Sequence, residues 1–281
     1  MPVVHALTVD VEDYFQVLNL RKQCPRERWD EFELRCPAVT ERLLDVFDEF
    51  DTKATFFCLG WIAERAPELI RAIAERGHEV ASHGYDHQLL PELGADGFRE
   101  DLARTNAILE PLAGAPIRSF RACTWSITKR TPWALPALVD AGFTRDSSIH
   151  PVRHPDYGVH DAELGPHMLE PTPGRQLFEL PPLVADFWGR RLPLGGGGYL
   201  RLFPTSWISR ALRGREQRGE PSCIYVHPWE FDPGQPRFGV GGLRGFRHYV
   251  NLAKTERKLR RLLERHRFGS VAQVAASWLA T

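Results

Sequence analysis

Over its first 150 residues the chain alternates short apolar runs with runs of helical period, and that order leaves few folds open. Residues 3–9, 54–59, 79–82 and 119–122 read as strands. Between them, Val39, Leu43, Val46, Phe47 and Phe50 recur at helical spacing and predict a helix over 39–50. A second helix is expected over 67–76, stopped by Gly77, a third over 97–112 with Asp96 as its cap, and a fourth over 132–141, ended by Gly142. A β-α-β-α order implies parallel strands with helices packed outside, and in such folds ligands sit at the carboxyl ends of the strands. The expected class is α/β, with residues 1–150 forming the core of a barrel.

The second half is richer in loops. Residues 150–176 carry many His, Pro, Asp and Gly and show no clear period, and Gly195 to Gly198 read as a flexible turn. Residues 223–226 form a strongly apolar strand that leads into HPWEF. A helix is expected over 250–267. Its seven Lys/Arg against two Glu over 254–267 suggest a solvated basic face, and Ser270 should cap a last helix through Trp278.

Bulk properties remove several function classes. At 281 residues, 43% hydrophobic and 26% charged, the chain has the composition of a globular protein with a large core. A formal net charge of zero gives no reason to expect nucleic acid or an anionic surface as partner. No apolar run approaches the roughly 20 residues that span a bilayer. No GxGxxG stretch supports a dinucleotide site. Cys24, Cys36, Cys58, Cys123 and Cys223 form no CxxC pair, which with the lack of a leader-like N-terminus predicts reduced thiols and a cytoplasmic setting.

Polar clusters fall where the strands end. LTVDVEDYF places Asp10, Glu12 and Asp13 within four positions, too many like charges for a chain that only had to fold. ASHGYDH places His83 and His87 four apart, close enough to share one cation. Two imidazoles and one carboxylate would leave coordination positions open for water and substrate. In FRACTWS, Arg121 is either a surface charge or a bidentate partner that keeps a carboxylate ionised. His227 ends the apolar strand before HPWEF, as a structural or a catalytic imidazole. Trp125, Tyr199 and Trp229 are candidates for stacking on a sugar face or for core packing.

TVDVED, SHGYDH, FRACTWS and YVHPWEF, in this order, resemble the polysaccharide deacetylases, the NodB-like carbohydrate esterase family four. DSSIHPVRH, FELPP, GGGGYLRLFP and HPWEFDPGQPR resemble the subgroup linked to exopolysaccharide biosynthesis and exosortase loci. The resemblance runs through nearly the whole chain. It implies one domain over residues 1–281, a distorted (β/α) barrel completed by the loop-rich 151–281. It implies one divalent metal, usually zinc, with cobalt and nickel equally compatible with such ligands. The implied reaction removes an N-acetyl group from a hexosamine unit of a glycan. By resemblance Asp10 is the base, Arg121 its orienting partner, His83 and His87 metal ligands, and His227 the acid that protonates the leaving amine. Where the family has two adjacent aspartates, this chain has Val11 after Asp10. Asp13 is the expected metal carboxylate for its short side chain, with Glu12 the alternative. Cys123 stands where a proline is common. The rival expectations are hydrolysis of a cyclic amide on the same fold, or a catalytically silent carbohydrate-binding protein.

Overall fold

The structure is a computed structural model and describes residues 2–154, 157–187 and 189–280. Its elements run in chain order as follows. β1 (His5–Val11) leads through a looped segment to α1 (Cys36–Glu49). Then come β2 (Thr55–Cys58), α2 (Gly60–Arg65), α3 (Pro67–Glu75), β3 (Glu79–Ser82), α4 (Leu90–Ala113), β4 (Ser119–Phe120), α5 (Ala134–Asp140) and β5 (Arg145–Asp146). The second half adds β6 (His167–Thr172), β7 (Arg175–Glu179), β8 (Val184–Phe187), β9 (Arg190–Pro193), α6 (Gly197–Leu202), α7 (Thr205–Glu216) and β10 (Cys223–Val226). It closes with α8 (Gly242–Tyr249), α9 (Thr255–Leu263), β11 (Phe268–Gly269) and α10 (Val271–Leu279).

One curled sheet organises the molecule, with strand order β10-β1-β2-β3-β4-β5-β7-β6 and β11 paired to the start of β1. Every pairing from β10 to β7 is parallel, and only the edge strand β6 runs antiparallel. The expected α/β architecture is therefore seen as an open half-barrel, and its central strand β1 takes neighbours from both ends of the sequence. All seven residues of β1 are buried, and so are all four of β2 and of β10. Parallel strands covered on both faces read as continuous apolar runs for this reason. Helices supply the outer layer: α1 buries Val39, Leu43, Val46 and Phe47, the stripe expected from the spacing. Each large apolar side chain so buried stabilises the fold by about 2 kcal/mol.

Several expectations are corrected. The third helix starts at Leu90, its Asp96 caps nothing and pairs with Arg99, and Gly94 breaks the run with φ 70°. The tetraglycine is no flexible turn. Gly195 accepts a hydrogen bond from the Tyr225 backbone N–H, and Gly196 bridges to Tyr225. A Cβ at Gly196 would lie 2.0 Å from the Tyr225 carbonyl oxygen, so only glycine lets this segment lie flat on β10. The basic helix is shorter than expected and does more than face water. Lys258 donates to the carbonyls of Leu200, Arg201 and Phe203 at the C-terminal end of α6, and Arg260 pairs with Glu49 and Glu256. The cap by Ser270 is present, accepting from the Gln273 backbone N–H. All five cysteines are buried free thiols.

Candidate active site

The carboxyl ends of β10, β1, β3 and β4 converge on a cavity of about 260 Å3. That is small for a ligand pocket, so most of a large substrate would lie outside it. The parallel register sets side by side the residues that leave each strand: Asp10 and Glu12 from β1, His83 from β3, Arg121 from β4 and His227 from β10.

Asp10 and Arg121 form the buried base of the site. Arg121 Nη1 donates to Asp10 Oδ1 at 2.7 Å and to Thr8 Oγ1 at 2.7 Å. The contact is not the bidentate fork expected, because the remaining donors go elsewhere: Nε to the Ser147 carbonyl, Nη2 to Ser147 Oγ and Cys223 Sγ. A fully buried guanidinium held at so many points cannot swing away, and it fixes the position of the Asp10 carboxyl group. Ser148 extends this scaffold, accepting from the Ala122 N–H and donating to Asp146.

His83 and His87 face each other with ring centroids 5.6 Å apart. His83 Nδ1 lies 2.8 Å from the Arg121 carbonyl, which can only accept. Nδ1 therefore carries the proton and Nε2 keeps its lone pair. Burial pushes the His83 pKa down to about 4, so the ring is neutral and fit to be a ligand. His87 sits in a loop at φ 58°, and Trp125 at φ 54°. Left-handed backbone in a non-glycine residue costs of order 1 kcal/mol and concentrates where function fixes a side chain.

The acidic cluster divides in a way the sequence reading did not expect. Asp13, the favoured metal carboxylate, is spent on backbone: Oδ1 accepts from the Tyr14 N–H, and Oδ2 from the N–H groups of Arg35 and Cys36 at the start of α1. Burial pushes its pKa up to about 6 while those donors pull it back. It is the anionic cap of α1, and it does not line the cavity. Glu12 lines it instead. Glu12 Oε2 lies 2.8 Å from His87 Nε2, yet no donor is aligned to hydrogen-bond with it. Glu12 Oε1 accepts from Trp229 Nε1 and lies 3.4 Å from His227 Nε2. Burial opposes its charge, but His87, His227 and His83 outweigh burial and hold its pKa at about 2. Asp13→Asn should therefore lower stability by about 2 kcal/mol, by leaving buried N–H donors unsatisfied, and keep the metal content of the wild type. Urea denaturation and metal analysis check this; lost metal at unchanged stability would return Asp13 to the ligand set.

His227 is held by a residue that sequence reasoning passed over. Glu230 Oε2 accepts from both the backbone N–H and Nδ1 of His227, while Oε1 accepts from buried Arg201. The signal was present in HPWEF, since a glutamate three residues after a strand end has capping-box spacing. Burial lowers the His227 pKa, but Glu230, Glu12 and Asp10 outweigh it and raise the value to about 9. The imidazolium Nε2 lies 3.8 Å from Asp10 Oδ2 and opens on the cavity.

The three aromatics all line the cavity but differ in what they are free to do. Trp229 stacks with His227 and His248 and gives its N–H to Glu12, so it props the site and is not a sugar platform. Trp125 packs edge-on against Tyr225 and lies near the Arg121 guanidinium. Tyr199 is half-buried at the rim and keeps ring surface available.

Cys123 was not a candidate ligand, yet its Sγ lies with the His83 and His87 nitrogens in a group of atoms all within 4.8 Å of one another. It donates to the His83 carbonyl, and burial pushes its pKa well up, which opposes the thiolate that a cation would bind. A thiol is a poor ligand. The side chains that could hold a divalent cation are the two imidazoles of His83 and His87 and the carboxylate of Glu12, all three lining the cavity.

Residues 28–144 match the family profile described as "Polysaccharide deacetylase", and residues 147–276 one described as "Domain of unknown function (DUF3473)". Over 75 residues the chain is 39% identical to the peptidoglycan-N-acetylglucosamine deacetylase of Bacillus cereus, covering 27% of each protein. Over 87 residues it is 39% identical to a chitooligosaccharide deacetylase of Sinorhizobium fredii, 31% of this chain and 40% of that one. The chain thus spans less than half the length of these relatives. The crystal structure of PuuE allantoinase superposes on 99% of this chain and 91% of its own, with a TM-score of 0.65 and 16% identity, a likeness of fold alone.

Proposed function

We propose that the chain, whose residues 28–144 match the polysaccharide deacetylase profile, hydrolyses N-acetyl groups from N-acetylhexosamine units of a glycan, assisted by one divalent cation. The observation that carries this reading is the convergence of Asp10 paired with Arg121, a protonated His227 and the side chains of His83, His87 and Glu12 on one small cavity. His83, His87 and Glu12 would hold the cation, with zinc the first choice for two imidazoles and a carboxylate. Such a cation polarises an acetyl carbonyl and acidifies water. Asp10, fixed by Arg121, accepts the proton of the attacking water. His227 donates its proton to the departing nitrogen, since an amine anion cannot leave, and Glu230 steadies the imidazolium until then. Tyr199 borders the entrance, where a sugar ring would pass. The setting we propose is bacterial cell-surface or exopolysaccharide metabolism, supported by the resemblance of the second half.

The allantoinase-like fold supports a second reading, hydrolysis of a cyclic amide. The test is acetate release from chitooligosaccharides by zinc-loaded protein, before and after chelation. Chelation should lower the rate about 10³-fold or more, and zinc should restore it. Turnover of allantoin with no acetate from any glycan would replace the deacetylase reading.

A further inference from the structure

The floor of the cavity and its rim carry opposite charge. Asp10 and Glu12 are the cavity's only carboxylates among the described residues, and both are engaged: Asp10 with Arg121, Glu12 with His87 and Trp229. Arg201 at the wall is spent on Glu230 and on the carbonyls of His248 and Val250, which anchors the end of α8. Two other lining arginines, Arg244 and Arg247 on α8, are exposed, and among the described residues neither meets a carboxylate. Nothing nearby in sequence offers one, because residues 233–255 contain no Asp or Glu and include Arg237, Arg244, Arg247 and Lys254. In a chain of net charge zero that is a local exception, and elsewhere its arginines are commonly paired.

Helical geometry aims the pair. Positions 244 and 247 are three apart, so their side chains lie together on α8, flanking the buried strip formed by Gly245 and His248. Gly245 lets α8 lie close on Val240, since a Cβ there would fall 1.9 Å from the Val240 carbonyl oxygen. The helix is thus seated, and its two guanidinium groups, without a carboxylate partner among the described residues, border the site.

We infer that Arg244 and Arg247 select an acidic glycan, one whose sugar next to the acetylated hexosamine carries an anionic group such as a uronate carboxylate. The inference rests on the deacetylase reading of the cavity. A planar guanidinium fits a carboxylate with two parallel hydrogen bonds, and these two give up no carboxylate among the described residues when the substrate arrives. Catalysis requires the small cavity to hold the acetamido group, which leaves the neighbouring unit of the chain at the rim. Exposed charges are screened, so the preference must weaken as salt rises.

The test measures binding apart from turnover. Zinc-loaded Asp10→Asn is titrated by calorimetry with two tetrasaccharides: neutral N-acetylchitotetraose, and alternating N-acetylglucosamine and glucuronate. The acidic one should bind at least tenfold more tightly at low salt, about a factor of ten for each arginine engaged. Arg244→Glu/Arg247→Glu in the same background should erase the difference and leave the neutral ligand within threefold; Arg244→Ala/Arg247→Ala should fall between. Equal affinity for both ligands, or equal weakening of both by charge reversal, overturns the inference. So does an unchanged preference with lost sedimentation on phosphatidylglycerol vesicles, which would assign the face to a lipid surface. If the arginine-dependent preference appears but wild-type protein releases no acetate, the deacetylase reading fails and the acidic-glycan site stands.

Discussion

Glu12→Gln should empty the site of its cation and leave the protein folded. The substitution keeps the shape of a buried side chain and the acceptor for Trp229 Nε1, but removes the anionic oxygen that lies 2.8 Å from His87 Nε2. Metal affinity should fall by more than about 100-fold, beyond what the loss of a supporting hydrogen bond produces. His83→Ala and His87→Ala should do the same, since each removes a ligand nitrogen. Acetate release should fall with metal content in all three. Cys123→Ser is the informative contrast. Its sulfur stands close enough to the two imidazoles to complete a ligand group, but as a thiol bonded to the His83 carbonyl it supplies no charge. Its removal should leave the metal in place. Mass spectrometry after dialysis reads the metal, and circular dichroism confirms the fold. Full occupancy in Glu12→Gln together with loss in Cys123→Ser would put sulfur in the ligand set and make Glu12 a partner of His227 only.

Why the sequence pointed to Asp13 is instructive. Side-chain length and analogy with an adjacent pair of aspartates were the only guides, and neither contains the position of α1. The amides of Arg35 and Cys36 reach Asp13 from more than twenty residues away, and that contact exists only once the helix has docked against β1. A carboxylate with such donors is committed to the helix end. Glu12, one residue earlier, is left for the cavity. Clustering of acids at a strand end was legible, whereas the division of labour inside the cluster depended on a long-range contact.

The first half of the fold was legible because its signal is local. Apolar runs, helical spacing and the stops at Gly77 and Gly142, both at positive φ, placed the strands of the half-barrel within a few residues. After residue 150 the same reading placed β10 and the helix capped by Ser270 but missed β6, β8 and β9. β6 is an edge strand with only partly buried or exposed side chains, and β8 and β9 form a separate two-stranded hairpin, so neither shows the continuous apolar run of the core strands. The tetraglycine was misread for a related reason. Glycine marks freedom in an isolated chain and close approach in a packed one, and only the carbonyl of Tyr225 decides which applies. At the site, Asp10, His83 and Arg121 were visible because they lie at the ends of strands that the alternation had already placed, His87 by its spacing from His83, and His227 because it ends an apolar strand. Glu230 and Ser147 were not, since each acts through another side chain.

Asp10→Asn and His227→Ala should separate the two proton transfers, because the geometry gives them different work. Asp10 touches no candidate ligand nitrogen, and its carboxylate is bound to Arg121 with Oδ2 toward His227. Asparagine in its place keeps the cation and removes the proton acceptor, so every acyl substrate that needs activated water should suffer. His227→Ala also keeps the cation. It removes a proton donor held by Glu230, a role worth about 10²- to 10⁴-fold in rate. That loss should depend on the leaving group. An aryl acetate departs as a stable phenolate without a proton, whereas the hexosamine nitrogen cannot depart unprotonated. Relative to wild type, His227→Ala should therefore hydrolyse an aryl acetate far better than an N-acetylhexosamine, by a factor within that same 10²–10⁴ range. Asp10→Asn should be poor on both. The quantity to measure is kcat/KM on ester divided by kcat/KM on amide for each protein. Equal impairment of His227→Ala on the two substrates would remove its role as leaving-group acid. The contact with Glu12 at 3.4 Å would then be the better guide to its function, as a charge that holds the metal carboxylate in place.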